Sequence, residues 1–222
     1  GYGSATGITH CWQSVDDIQD HMLNFLENHD EQRIASDFFA GNPFKAVPAF
    51  IVSSCLRSNP VMVYFGQELG EKGEGFSGQD GRTTIFDYWN VDSIYRWSNR
   101  GRWNTHLLSA KEKELRKTYE TILHICQKEQ AISKGEFFDL MYVNLNGWQM
   151  NEHKQYAFLR KYGQEVLFIM VNFSDTASQV AVNVPAHAFE YFKMTPSAQC
   201  NAKDLLTGKT EKICFTPESP TC

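Results

Sequence analysis

Short apolar runs separated by polar gaps mark the first part of the chain, and the period of the apolar positions changes near residue 135. Met22 to Leu26 reads as a buried strand, preceded by a short helix or loop over Trp12 to His21. Phe44 to Leu56 is mostly apolar and reads as a helix, with Pro48 tolerable because it lies near the start. After the break at Pro60, Val61 to Phe65 is dense in β-branched and aromatic residues, the pattern of a parallel strand buried on both faces. Strand, helix and strand in this order predict a βαβ unit. The polar, glycine-rich stretch from Glu71 to Gly81 is too long for an ordinary connection and is of a kind that is functional or mobile.

Ser109 and Glu112 carry the spacing of a capping box, so a helix is predicted to start there. Its apolar residues Leu115, Tyr119, Ile122, Ile125 and Cys126 recur at three and four, forming one face to pack on a sheet. Beyond Gly135 the pattern shortens. Ala157 to Arg160, Glu165 to Phe173, Gln179 to Val184, Glu190 to Met194 and Lys212 to Thr216 are strand candidates separated by turn residues. They predict an antiparallel β-sandwich. The expected division is therefore residues 1–135 with α/β character and residues 136–222 all-β.

The 222 residues, 42% of them hydrophobic, suffice for one large or two smaller cores. A net charge of -5 without a basic block argues against a nucleic-acid surface, which needs concentrated positive charge. Five Trp and nine Tyr suit sugar stacking, and equally a well-filled core. The six cysteines lack a Cys-x-x-Cys pair, which argues against structural zinc. Cys55 and Cys126 fall on helical apolar positions and read as small buried hydrophobes. Cys200 and Cys214 are candidates to approach across neighbouring strands, and the redox compartment stays open. No apolar run approaches the length of a membrane span, and the first residues carry no signal-peptide pattern. The glycine-rich stretch lacks the Gly-Lys-Ser/Thr ending of a phosphate loop, so nucleotide binding is rejected.

Candidate chemistry concentrates where the first apolar run ends in Asn28, His29 and Asp30. An amide, an imidazole and a carboxylate at a strand tip suit a ligand site, although the same residues could be no more than a polar turn. Phe25, Asn28, His29 and Asp30 resemble the fourth signature region of the α-amylase superfamily of glycoside hydrolases (family 13). Val63 to Gly70 is similar to that family's phrase after the eighth barrel strand, and Asp80-Gly-Arg-Thr-Thr84 to its Asp-Gly-Arg-Thr segment. Val166 to Phe173, leading to Leu205-Leu-Thr-Gly208, looks like its C-terminal domain.

The resemblance implies the C-terminal part of a (β/α)8 TIM barrel, the last two β/α units, followed by an antiparallel β-sandwich. It implies a retaining enzyme that cleaves α-glucosidic bonds in starch-like glucans. Retention needs two carboxyl groups about 5 to 5.5 Å apart, a nucleophile and an acid-base. The family carries both upstream of this region, so the chain alone is expected to be inactive. Asp30 takes the role of the carboxylate that stabilises the transition state, while His29, Asn28, Asp80 and Arg82 become substrate-binding candidates. Asp80 and Arg82 are also readable as a plain exposed turn. Glu68, tempting at a strand end, corresponds to a structural residue. No cofactor or metal is expected within this chain, though the intact enzyme could hold calcium. The expected partners are α-glucan or maltooligosaccharide, with another copy or the missing barrel portion along the open strand edge. The family favours a secreted, periplasmic or cell-surface setting. Two alternatives remain: a binding or structural module using aromatic residues such as Trp148 and Tyr156, or a family relative without hydrolytic chemistry.

Overall fold

The structure, a computed structural model, describes residues 3–74, 81–82, 91–147 and 149–221. In chain order the regular elements are α1 (Thr6–Ser14), β1 (Asn24–Phe25), α2 (Ala46–Cys55), β2 (Val61–Met62), α3 (Asp92–Ser98), α4 (Ala110–Lys128) and α5 (Gln130–Ser133). They continue with β3 (Glu136–Asp139), β4 (Gln155–Tyr162), β5 (Glu165–Asn172), α6 (Ala186–Phe192), β6 (Ser197–Lys203) and β7 (Thr210–Phe215). Two compact units interleave along the chain. One comprises the residues up to Met22, Cys55–Asn59 and everything from Ile125 onward; the other comprises Leu23–Ser54 and Pro60–His124.

In the second of these units, β1 and β2 pair in parallel, Asn24 opposite Val61 and Phe25 opposite Met62, and α2 makes the crossover between them. The predicted βαβ order is present. Asn42 caps the turn into α2 by accepting the Phe44 N–H at 3.0 Å, and Pro48 falls in the first helical turn, where no N–H is required. The capping box forms as expected: Ser109 N–H donates to Glu112 Oε2 at 2.7 Å, and Glu112 N–H to Ser109 Oγ at 3.3 Å. From that start α4 buries Leu115, Tyr119 and Ile122 on one face, and the Tyr119 ring stacks on Phe50 of α2 at 4.4 Å.

The other unit is built on an antiparallel sheet in the order β3-β4-β5. Its central strand β4 is buried at every position from Gln155 to Arg160. A strand covered on both faces cannot show the alternation of a half-exposed one, which is why its apolar stretch reads as continuous. β6 and β7 form a separate antiparallel pair. The buried guanidinium of Arg160 ties chain segments together: it donates to Ala131 O, Ile132 O, Gly135 O, Leu56 O and Ser58 Oγ at 2.6 to 2.9 Å.

Several expectations change. The strand expected over Met22 to Leu26 shrinks to two residues, and Leu23 and Phe25 are 49% and 40% exposed, because β1 has a neighbour on one edge only among the described residues. Val61 to Phe65 likewise shortens to Val61–Met62: the chain turns at Gly66, whose φ of 84° ends the extended run, and Phe65 is 48% exposed. Glu190 to Met194 is not a strand: Glu190 to Phe192 end α6, and Lys193 and Met194 follow it. Ala188, Phe189 and Phe192 are its buried face, a helical spacing that the turn-rich surroundings concealed. Gln179 to Val184 contributes only an isolated bridge from Val182 to Thr221. The mostly exposed β6 carries no apolar signal that would predict it. The stretch Trp12 to His21, expected as a short helix or loop, holds the end of α1, which begins earlier at Thr6, followed by turns and a 3-10 helix at Gln19–His21.

Candidate functional site

The tip begins where β1 ends. Asn28 Oδ1 accepts the N–H groups of Asp30 and Glu31, both at 2.8 Å, so its side chain closes the turn on which the next two residues stand. His29 and Asp30 then project outward, their side chains 59% and 75% exposed, with imidazole Nε2 3.3 Å from Asp30 Oδ2. Structure therefore brings three of the predicted site residues into one turn. Arg82 is exposed, and Gly81 beside it accepts the Arg33 N–H at 2.9 Å, which joins this segment to the same loop. Asp80, with the segment from residue 75 to 80, lies outside the described residues, as do Thr83, Thr84 and Trp148.

Behind the exposed tip is a buried ion pair that the sequence reading did not identify. Glu27 Oε2 lies 3.1 Å from Arg33 Nε, and Glu27 Oε1 accepts the Ile34 N–H at 2.7 Å. Arg33 Nη2 donates to Phe65 O at 2.9 Å, and its guanidinium covers the Tyr64 ring at 4.7 Å. One side chain thus fastens the loop after β1 to the chain leaving β2. A signal was present: Glu27 is a charge within an apolar run, and Arg33 follows six residues later. A buried charge calls for a partner.

Burial pushes the Glu27 carboxyl up from its ordinary value, outweighing the attraction of Arg33 and the Ile34 hydrogen bond. Glu68 is also raised, again by burial first, against the pull of its own backbone N–H, Arg116 and Arg33. Farther along the loop, Glu74 Oε1 accepts from Ser36 Oγ at 2.9 Å and from the Asp37 N–H at 2.6 Å. Gly81 could not be replaced there: its φ is 78°, and an added Cβ would lie 2.4 Å from Ser36 Oγ.

An exposed carboxylate and imidazole side by side can accept from and donate to vicinal hydroxyls, as a polyol ligand requires. Glu27 is committed to Arg33 and Ile34, so it offers no second reactive carboxylate at this turn. Among the described residues, no group of three or more His, Cys, Asp or Glu is arranged to hold a metal ion. A groove of about 710 Å3 lined by Pro43, Phe44, Leu69, Arg96, Leu107 and Leu115 contains none of the predicted site residues. Tyr156 is fully buried and donates its hydroxyl to Asp139 at 2.8 Å, so it cannot be the sugar-stacking residue considered above. No helix among the described residues is long and apolar enough to cross a membrane.

Residues 148–215 match the family described as alpha amylase, C-terminal all-beta domain. No curated protein sequence is significantly similar to the chain. Among solved structures, the chain is similar in fold to the alpha-amylase GTA of Geobacillus thermoleovorans complexed with acarbose, at 14% identity and a TM-score of 0.60, over 96% of this chain and 39% of that one. It is similar to the noncanonic maltogenic alpha-amylase AmyB of Thermotoga neapolitana, at 16% identity and a TM-score of 0.58, over 95% and 42% of the two chains. AmyP in complex with maltose is 21% identical, with a TM-score of 0.57, over 90% and 37%. The chain spans about two-fifths of the length of these proteins.

Proposed function

Because residues 148–215 match the alpha amylase C-terminal all-beta domain, we propose that the chain is the C-terminal portion of a retaining α-glucan hydrolase. In this reading residues 1–135 supply the last two β/α units of a (β/α)8 barrel, and residues 136–222 the antiparallel sandwich behind it. The observation that carries the reading is the turn at the exit of a parallel strand on which Asn28 fixes His29 and Asp30 outward. Active residues of barrel enzymes occupy this kind of position.

Asp30 holds the sugar at the cleavage subsite and interacts more strongly with the positively charged, oxocarbenium-like ring than with the neutral ground state. His29 donates to a hydroxyl of the same sugar. Asn28 contributes by holding the turn, and Arg82 with Asp80 meets the substrate from the neighbouring segment. The nucleophile and the acid-base come from upstream barrel strands, which also cover Leu23 and Phe25 at the open edge of β1. The maltose held by AmyP supports an oligosaccharide substrate.

The test compares the chain with a longer polypeptide that includes the upstream region, using reducing-end release from maltooligosaccharides. The chain alone should release nothing, because a lone Asp30 leaves the reaction without nucleophile or proton donor. The longer polypeptide should turn over, and Asp30→Ala should lower kcat far more than it raises KM. No turnover by the longer polypeptide would favour a relative without hydrolytic chemistry; equal kinetics of wild type and variant would remove Asp30 from the site.

A further inference from the structure

Cys55 is the last residue of α2 and is buried, while Cys126 lies in the last turn of α4 and is partly open to solvent. Although 71 positions separate them in sequence, their Sγ atoms are 3.6 Å apart. We propose that Cys55 and Cys126 are a site of intramolecular disulfide formation, a covalent latch between the end of α2 and the last turn of α4. A disulfide has sulfurs about 2.05 Å apart, so closure needs the two sulfurs to approach by roughly 1.5 Å.

The pair is also chemically asymmetric. The contact between the two thiols, in which either sulfur can donate, holds Cys126 below its ordinary range against the opposing effect of burial; the same contact and burial raise Cys55. Cys126 is also the partly solvent-open member of the pair while Cys55 is buried, so Cys126 is the attacking group. With glutathione disulfide as oxidant, the Cys126 thiolate attacks one glutathione sulfur, the glutathione S–S bond breaks, and one glutathione leaves and takes up a proton. Cys55 then gives up its proton and attacks the Cys126 sulfur, expelling the second glutathione. Two protein thiols are oxidised and one glutathione disulfide is reduced to two thiols.

The other described cysteines are placed differently. Cys11 is exposed, and Cys200 and Cys214 do not meet across their strands. Cys200 of β6 is in register with Ile213 of β7, so Cys214, the next residue, points to the opposite face. Their sulfurs contact Ile213 O and Thr216 Oγ1 respectively.

The chain is equilibrated in glutathione buffers of rising disulfide fraction, quenched by alkylation, and read by intact mass and peptide mapping. The expected product has lost two hydrogens and two alkylation sites, yields a Cys55–Cys126 linked peptide while Cys11 still alkylates, and melts several degrees higher until dithiothreitol is added. Cys55→Ala should leave Cys126 carrying one stable glutathione, whereas Cys126→Ala should leave Cys55 unmodified. If both residues of the folded wild type stay alkylatable throughout, or if the linked peptide joins other cysteines, the proposal is overturned.

Discussion

Arg33 and Glu27 face each other at 3.1 Å with both side chains almost wholly removed from water. Such a pair adds little net stability over a well-packed apolar substitute, but removing one member leaves the other buried and uncompensated. Arg33→Met should therefore cost about 3–5 kcal/mol in urea unfolding. The double replacement Arg33→Met with Glu27→Leu should cost less than Arg33→Met alone; an additive loss would mean that the two charges do not compensate each other.

The same carboxyl sets one limb of the pH dependence. Because Glu27 is raised in the folded state, its contribution is fully present below its unfolded value of 4.5 and is lost as pH rises through the folded value. Glu112 has the opposite sign. Burial would raise it, but hydrogen bonds from Arg96 and Ser109 prevail and hold it below 4.5. Its contribution is present above 4.5 and disappears as pH falls through the lower folded value. In pH-stepped urea melts, Glu27→Gln should flatten the loss on rising pH, and Arg96→Met should remove the loss on acidification. Ser109→Ala should cost about 1 kcal/mol at neutral pH as a broken cap.

Asp30 offers a clean separation of fold from function. Its side chain is 75% exposed, so Asp30→Ala should change unfolding stability by less than about 0.5 kcal/mol. A larger loss in thermal or urea melts would assign this residue to the fold.

Gly135 stands where no side chain can. An added Cβ would be 2.2 Å from Ala131 O and 2.6 Å from Lys161 O, both backbone atoms. Gly135→Ala should destabilise by more than about 2 kcal/mol. Arg160→Met should cost about 3 kcal/mol or more, since buried carbonyls lose their donor. Both variants are read by urea unfolding, and near-native midpoints would show that the surroundings relax freely.

What the sequence disclosed was local. Ser109 and Glu112 announce the start of α4, and Leu115, Tyr119 and Ile122 its buried face, because capping and helical periodicity involve neighbours in the chain. Asn28, His29 and Asp30 could be named for the same reason: their arrangement is one turn, closed by Asn28 itself. What stayed hidden depends on distant chain. The Glu27–Arg33 pair gains its meaning from Phe65 O and Tyr64, which reach it only through the fold. The extents of β1 and β2 depend on which strands lie beside them, and Cys55 and Cys126 looked like two unrelated core residues until α2 and α4 brought their sulfurs together. At α6 the failure was one of period. Only three residues of that stretch, Glu190 to Phe192, belong to the seven-residue helix, too few to distinguish a repeat of 3.6 from one of 2.

Arg160 draws its acceptors from chain on both sides of a long excursion: Leu56 and Ser58 before it, Ala131, Ile132 and Gly135 after it. A gene crossover at residue 136 would separate Arg160 from the parental residues that position every one of those oxygens. The C-terminal portion is consequently a poor cassette for shuffling at that joint, because the compact unit to which it belongs also includes the five residues Cys55–Asn59.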